Sequence, residues 1–330
     1  MKLRYSLIIL ALFALLLLVS LVSLSVGAVS LSRAEVFAAL RGIPQKASHR
    51  AIVWDFRLAR VLLAILCGAA LSAAGVGFQG LFRNPLADPY IVGASGGAAL
   101  GAALAAIFRE TVFSIPMGTG AFIGSMVAVV VVFLIAELSN FGSIASLLLA
   151  GAAMSTMLSA LVSLVLFLND EVLRGVFFWL MGGFSGRSWS QLGQALRIAP
   201  VGIALLWAMS RSLDALATGE ESAQALGLNL RRARITIVIG ASLATAAAVS
   251  VSGIIGFVGL IAPHLARKLV GATHARLFPV AMLLGGILLV FSDTLARTLM
   301  APVEMPVGIF TALLGGPFFL YLLRSSGKRA

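Results

Sequence analysis

The sequence has little charge for its length and almost no cysteine. Of 330 residues only 11% are charged and 60% are hydrophobic, and the mean hydropathy is +1.07. A soluble domain of this size needs more charge to cover its surface, so the composition argues against a soluble protein and indicates one that lies in the bilayer. Cys67 is the single cysteine, which excludes a disulfide framework and a cysteine-rich metal site. We expect it simply to pack among its apolar neighbours.

Motifs for nucleotide and metal chemistry are also missing. The sequence contains no G-x-x-x-x-G-K-[ST], no H-E-x-x-H and no Cys/His cluster. We therefore expect no catalytic site, metal site or cofactor in this chain, and any ATP that drives it must bind a separate polypeptide. Residues 75–80 match G-x-G-x-x-G, but an Ala- and Leu-rich apolar run precedes them where a dinucleotide site needs a strand.

Long apolar runs fill most of the chain. The first covers 6–32, and the others cover about 61–81, 91–108, 112–136, 144–168, 192–210, 235–258, 254–270, 277–296 and 306–323. A span needs about 20 apolar residues, so these runs predict about ten transmembrane helices. The seventh and eighth runs merge, and we expect a break at 250–253. The fold class is therefore an all-α polytopic membrane protein, with 1–330 as one transmembrane domain.

The two ends of the chain are expected on the same side of the membrane, because the number of spans is even. The first run exceeds the roughly 7–15 apolar residues of a signal peptide, which favours a retained span. The net charge of +12 comes mainly from residues between apolar runs, which suits lipid head groups and partner proteins better than nucleic acid. The 24 basic residues divide almost evenly between the two sides, so they do not fix the orientation.

Glycines at 93, 97 and 101 are four residues apart and predict one face of a helix that packs closely on another. Gly93-Ala-Ser95-Gly96 also resembles the nucleophile motif of rhomboid-type intramembrane proteases, with His264 as the one histidine deep in an apolar run. Rhomboids resemble bundles of six or seven spans, so we favour helix packing and keep the protease as a remote alternative.

The segment 211–234 is the most polar internal stretch and is predicted to contain a short helix in a cytoplasmic loop. Thr218 would cap the helix, Glu220 and Glu221 would lie in its first turn, and Gly227 would end it. Ala223 and Leu226 would form a small apolar face that fits a groove on a soluble partner. A solvated surface loop explains the same pattern equally well.

Several segments resemble one family of permeases in the expected order. The first reads Gln79-Gly-Leu-Phe-Arg-Asn-Pro-Leu-Ala-Asp-Pro-Tyr-Ile-Val-Gly-Ala-Ser-Gly-Gly97, and 56–60, 219–228, 253–267 and 304–319 add further matches. Together they resemble the permease subunits of ABC importers for iron chelates and cobalamin. The resemblance covers about 56–323.

This resemblance implies a type II ABC importer permease of ten spans that works as a dimer with a second copy. It implies two separate ATP-binding subunits, a periplasmic or lipid-anchored binding protein, and a metal chelate such as a ferric siderophore, haem or cobalamin as substrate. The membrane would be the bacterial inner membrane, with both termini cytoplasmic. The residues implied in ATPase coupling are Gly219, Glu220, Glu221, Ala223, Leu226 and Gly227.

The resemblance also places Arg57, Arg60 and Arg297 near the outer rim, where they could meet acidic residues of the binding protein. Arg57 and Arg60 are three residues apart and would share a face. The alternative is that these side chains reach lipid head groups, or that Asp293 neutralises Arg297 four residues later.

The pathway wall in this family corresponds to 151–186, where hydroxyl side chains recur at near-helical spacing. The proposed pathway and gate residues are Ser143, Ile144, Ser155, Thr156 and Ser159, with Ser163 continuing the stripe. Ordinary Ser/Thr helix packing is the alternative.

Two positions depart from the family pattern. Ala59 stands where proline is usual, which leaves the start of the second span uncertain by a turn. Ile144 is bulky where a small polar gate residue is expected. An ion-coupled secondary transporter remains the main alternative function, although Asp293 is the only carboxylate well inside an apolar run.

Overall fold

The computed structural model describes residues 2–27, 29, 31–44, 46–110, 114–138 and 144–326, and all regular structure in them is helical. The helices are α1 Lys2–Ser25, α2 Arg33–Leu40, α3 Ala47–Arg50, α4 Ala59–Leu81, α5 Ala94–Ile107, α6 Met117–Leu138, α7 Ile144–Leu168, α8 Asp170–Leu180, α9 Trp189–Ala208, α10 Ser210–Ala217, α11 Glu220–Ala225, α12 Leu230–Ser252, α13 Val258–Val270, α14 His274–Thr298 and α15 Val307–Ser326. A π-helical segment, Ala51–Leu58, joins α3 to α4, and a 3-10 turn, Phe108–Glu110, follows α5.

The predicted all-α membrane fold is confirmed, and each of the ten apolar runs contains a helix. By length and composition, six helices can cross a bilayer, and the pair α9 and α10, bent by 48°, makes a seventh if it counts as one span. The apolar helices Ala94–Ile107 and Val307–Leu320 are shorter, as is α13 with 13 residues. For these three, a complete crossing stays a prediction.

Helix α4 lies at the centre of the bundle and packs on α9, α12, α13 and α14. Small residues allow this close packing. A Cβ placed on Gly68 would lie 2.2 Å from the carbonyl oxygen of Gly285 in α14, and one on Gly75 would lie 2.0 Å from that of Gly259 in α13. In lipid, where hydrophobicity does not drive helices together, such backbone contacts hold the bundle.

The second span begins earlier than its sequence suggested. From Ala47 to Leu81 the chain forms one 35-residue helical stretch that includes the π-helical segment. Ala59 keeps the backbone N–H that a proline lacks and has no ring to clash with the preceding turn, so nothing interrupts the helix there. The stretch thereby carries Trp54 towards α9, where the indole N–H of Trp189 donates to the Trp54 carbonyl at 2.9 Å.

The merged seventh and eighth runs separate as predicted. Helix α12 ends at Ser252, Gly253 follows with φ of 69°, and α13 begins at Val258. The left-handed backbone at Gly253 has a steric reason, because an added Cβ would lie 2.2 Å from the carbonyl oxygen of Trp179. The break in the α12–α13 pair therefore packs directly on the end of α8.

The glycine stripe in α5 is confirmed in part. A Cβ on Gly97 would lie 2.3 Å from the Gly124 carbonyl oxygen, and one on Gly101 would lie 2.1 Å from that of Gly120, so both glycines face α6. Gly93 does not share that face. It precedes α5 with φ of 82°, so it serves the turn that starts the helix.

Candidate functional site

The polar loop folds into two short helices, α10 and α11, before α12 begins. Glu220 and Glu221 lie in the first turn of α11, and Gly227 ends it with φ of 85°, both as predicted. The predicted cap is wrong. The Thr218 hydroxyl donates to the Ala215 carbonyl at 2.8 Å and so closes α10, while Gly219, with φ of 113°, starts α11. A positive φ at the first position needs glycine there.

Charge pairs fix α11 to the rest of the fold. The Arg234 guanidinium in α12 contacts Glu220 at 2.7 Å, and that of Arg83, in the turn after α4, lies 3.9 Å from the same carboxylate. The family resemblance gave Glu220 a role in coupling, but sequence reasoning did not find its partners. Arg234 is 14 residues away, and only the fold brings it back.

The two apolar residues of α11 point in different directions, so the predicted common face is wrong. Ala223 is fully buried, whereas the Leu226 side chain is 74% exposed at the end of the helix. Beside α11 lies a cleft of about 720 Å³, lined by residues 218–222 together with Phe82, Arg83, Ala145 and Leu148. Leu226 is thus the exposed one of the two apolar side chains predicted to contact a partner.

A cluster of charges joins α4, α14 and the segment before α15. The Arg60 guanidinium donates to both carboxylate oxygens of Asp293 at 2.8–3.0 Å, and to Glu304 at 2.9 and 3.1 Å. Asp293 is 1% exposed and the Glu304 side chain is 36% exposed, so the cluster extends from the bundle interior to the surface. Burial opposes the ionisation of Glu304, yet Arg60 beside it holds the pKa of that carboxyl below its usual value.

The other two predicted rim arginines are buried. Arg57 donates to the carbonyls of Leu24, at 2.6 Å, and Val29, and Arg297 donates to the carbonyl and hydroxyl of Ser23. Arg57 and Arg297 are each 6% exposed, so their side chains are largely enclosed by the chain itself. Arg57 and Arg60 also contact different partners and do not form one binding face. Their role in docking stays a prediction.

Asp293 has two arginine partners. The contact with Arg297, four residues later, was anticipated and has a distance of 3.7 Å, but the shorter contact is with Arg60, 233 residues away. The carboxylate considered for ion coupling is thus already bound by two guanidinium groups. This arrangement gives a secondary transporter no free coupling site at Asp293.

Hydroxyl residues follow one side of α7. Thr156, Ser159 and Ser163 are exposed and Ser155 is half-buried, so this side is not covered by the rest of the chain. The hydroxyls of Thr156 and Ser163 donate to the carbonyls of Ala152 and Ser159, each at 3.0 Å. Ile144 is the first residue of α7, and Ser143 lies outside the described residues.

The protease alternative receives no support from the geometry. The His264 ring lies edge-on to Phe318 with ring centroids 5.5 Å apart. Among the described residues no hydrogen bond joins His264 to Ser95, which lies near the start of α5. A serine nucleophile needs a base within hydrogen-bonding reach.

Comparison with known proteins gives consistent matches over nearly the whole chain. The FecCD transport family matches residues 15–325. A cobalamin import system permease protein, BtuC, from Halobacterium salinarum is 45% identical over 289 residues, which are 88% of this chain and 77% of that protein. A hemin transport system permease protein, HmuU, from Yersinia pestis is 41% identical over 320 residues, which are 94% of this chain and 93% of that protein.

A solved structure has the same fold. It is assigned as a metal-chelate type ABC transporter in an inward-facing conformation and superposes with a TM-score of 0.86 at 35% sequence identity. The match covers 96% of this chain and 99% of that one.

Proposed function

This chain belongs to the FecCD transport family and is a permease subunit of an ABC importer, and from that premise we propose that it passes a bulky metal chelate inward. The energy comes from ATP bound by two separate ATPase subunits. A soluble or lipid-anchored binding protein delivers the substrate, and a second copy of the chain completes the pathway. The membrane is the bacterial inner membrane, with both termini in the cytoplasm.

The observation that carries this proposal is the construction of α11. It is a short helix held to α12 by Glu220 and Arg234, and it presents Leu226 to solvent beside an open cleft. A rigidly anchored helix with an exposed apolar end transmits the motion of a bound partner to the bundle. Closure of the ATPases on ATP would thus move α12 through α11.

Helix α7 supports the proposed second copy and pathway. Only 22% of its most apolar stretch is buried within the chain, against 83% for the stretch that contains α4. Its exposed side carries small hydroxyl residues, two of which already donate hydrogen bonds to their own helix backbone. Such a surface is wettable yet offers few free donors, so it suits passage of a large solute without tight binding.

The substrate class follows from the described relatives. Their names include cobalamin and hemin, which are large metal chelates, and the solved structure is assigned to the metal-chelate type. We assign a chelate of this kind, a ferric siderophore, haem or cobalamin, to this chain.

Reconstitution tests the proposal directly. Proteoliposomes that contain this chain, its ATPase and its binding protein should accumulate radiolabelled chelate with ATP and without any ion gradient. Omission of the ATPase should abolish uptake. Uptake that follows a proton or sodium gradient and ignores ATP would instead identify a secondary transporter.

A further inference from the structure

A second polar cavity lies away from α11, between α8, the segment 182–187 and the segment 304–306. It has a volume of about 400 Å³ and is lined by Arg60, Trp179, Ser185, Arg187, Ser252 and Glu304, among others. Ser185 and Glu304 are exposed or partly exposed, whereas Ser252 is buried, so the cavity runs inward from Glu304 to the break after α12.

The walls of this cavity are held by contacts across the bundle. The Gly183 N–H donates to the Ser252 carbonyl at 2.7 Å, which fixes the segment after α8 to the end of α12. On the other side Arg60 holds Glu304 at 2.9 Å, and Ser185 also helps to lower the pKa of that carboxyl. The cavity is therefore a built part of the fold and has one carboxylate at its mouth.

Arg187 differs from the other arginines at this end of the bundle. Arg57, Arg60 and Arg297 all donate to carbonyls or carboxylates. The Arg187 side chain has no hydrogen-bond acceptor and no carboxylate within salt-bridge distance among the described residues, and its Nε is buried without a partner. Burial lowers the pKa of this guanidinium from its ordinary value, as expected for a cation that has lost water without gaining an anion.

The fold explains why a cation is held here but not what its N–H groups bind. Helices α8 and α12 both end at this cavity, at Leu180 and Ser252, and their carbonyl ends favour the Arg187 cation and, like Glu304, lower the affinity for an anion. A guanidinium has five N–H donors in a planar fork, which matches two oxygens of a carboxylate, sulfate or phosphate. The buried Nε–H of Arg187, left unpaired, costs free energy, so an anion whose oxygen reaches this group is stabilised.

We propose that this cavity binds a small oxyanion, a carboxylate, sulfate or phosphate group, through the Arg187 guanidinium, with Glu304 at the mouth limiting its affinity. Two sources share this chemistry, a free anion in water and the phosphate of a lipid head group. The site is independent of the proposed import function, because binding is a property of the chain alone.

The test measures binding of sulfate to the purified full-length chain by titration calorimetry in a maltoside detergent, which contains no phosphate. Wild-type protein should bind sulfate saturably, and Arg187→Gln should weaken binding roughly tenfold or more, the loss expected for charge-assisted hydrogen bonds. Arg197→Gln removes an exposed positive charge from α9 and serves as the matched control, which should leave the affinity unchanged. Glu304→Gln should tighten binding several-fold.

The lipid source is tested in nanodiscs with and without phosphatidylglycerol. Competition between this lipid and sulfate that disappears in Arg187→Gln would assign the site to lipid phosphate, whereas unchanged sulfate affinity would assign it to a free anion. No saturable binding of either, or equal affinity in wild type and Arg187→Gln, would overturn the proposal. If Arg187→Gln does not fold, the Glu304→Gln protein still tests the proposal. A sulfate affinity equal to that of the wild type would contradict binding of sulfate in this cavity.

Discussion

Asp293 is the buried anion that compensates the positive charges at one end of the bundle. Arg60 and Arg297 both contact it, and all three side chains are largely buried. Asp293→Asn removes the negative charge, which leaves Arg297 without an anionic partner and Arg60 with only the partly exposed Glu304. Removal of one partner from a buried ion pair costs about 3–5 kcal/mol. We expect the free energy of unfolding, measured by thermal or chemical denaturation of the purified protein, to fall by this amount.

Glu304→Gln is the matched control for Asp293→Asn, because it removes a carboxylate from the same arginine at a partly exposed position. Water screens the pair of Arg60 and Glu304, so we expect the free energy of unfolding to fall by about 1 kcal/mol or less. Equal losses for the two substitutions would contradict the view that burial of Asp293 decides its contribution.

Contacts between near residues could be predicted from the sequence, whereas distant ones could not. The pair Asp293 and Arg297 follows from helical spacing alone. The pairing of Arg60 with Asp293 and Glu304 depends on how α4, α14 and the segment before α15 come together, and a single sequence carries no signal for it. For the same reason the buried state of Arg57 was missed.

At the scale of the helix pair, α5 and α6 are joined by glycines that admit no larger side chain. Gly101→Val should force them apart, because its Cβ would overlap the Gly120 carbonyl oxygen. Overpacking of this kind costs about 1–3 kcal/mol or more. Gly193→Ala in α9 is the control, since nothing lies within 4 Å of the added Cβ and alanine favours a helix. Its thermal stability should stay the same or rise slightly.

Helix α11 allows a test of ATPase coupling that leaves the fold intact. Leu226→Glu changes an exposed side chain, so stability should change by less than about 0.5 kcal/mol. Affinity for the ATPase, measured by pull-down or interferometry, should fall roughly tenfold or more if Leu226 enters a groove. Gln224→Glu adds the same charge at another exposed position of the helix and should have a smaller effect.

Gly227→Pro should abolish association with the ATPase by another route. Gly227 has φ of 85° and its N–H donates to the Gln224 carbonyl at 2.8 Å, whereas proline fixes φ near −65° and has no N–H. The end of α11 would therefore unwind and displace Leu226. Normal uptake and stable ATPase association in this variant would contradict the role of α11.

The presence of the helices and of the glycine turns could be predicted from the sequence, because apolar runs and turn residues are local signals. The residues that cap the helices were harder to predict. Threonine is a common N-cap residue, which favoured Thr218. The N-cap of α11 is instead Gly219, because the backbone there has a positive φ that glycine adopts readily. The side of α11 that faces the bundle was also missed, since Ala223 and Leu226 have the same apolar character and only packing separates them.

For the whole importer, labelling of the exposed side of α7 tests whether the proposed pathway runs along it. Ser159→Cys and Ser163→Cys should react with a charged thiol reagent in membranes if this side lines an aqueous pathway. Leu161→Cys is the control, because two residues away it lies on nearly the opposite side of the helix. The native thiol should add little background, since Cys67 is fully buried. Equal labelling of all three positions would contradict the assignment of the wall.

Assembly and substrate are the properties that the sequence of one chain reveals least. A pathway between two copies needs no motif, because small residues such as Ser159 serve equally for packing and for passage. The family could nevertheless be predicted, since its signatures lie at turns and helix ends such as 79–97 and 253–267, where backbone geometry restricts the residues.

The attachment of α1 to the bundle has a consequence for biosynthesis. Its last turns are fixed by Arg297, whose guanidinium reaches Ser23 across 274 positions of sequence. A ribosome must therefore complete nearly all of the sequence from α1 to α14 before α1 acquires this anchor. Until then the one contact described above that holds the end of α1 is the hydrogen bond from Arg57 to the Leu24 carbonyl, and truncated translation products should expose α1 to quality-control proteases.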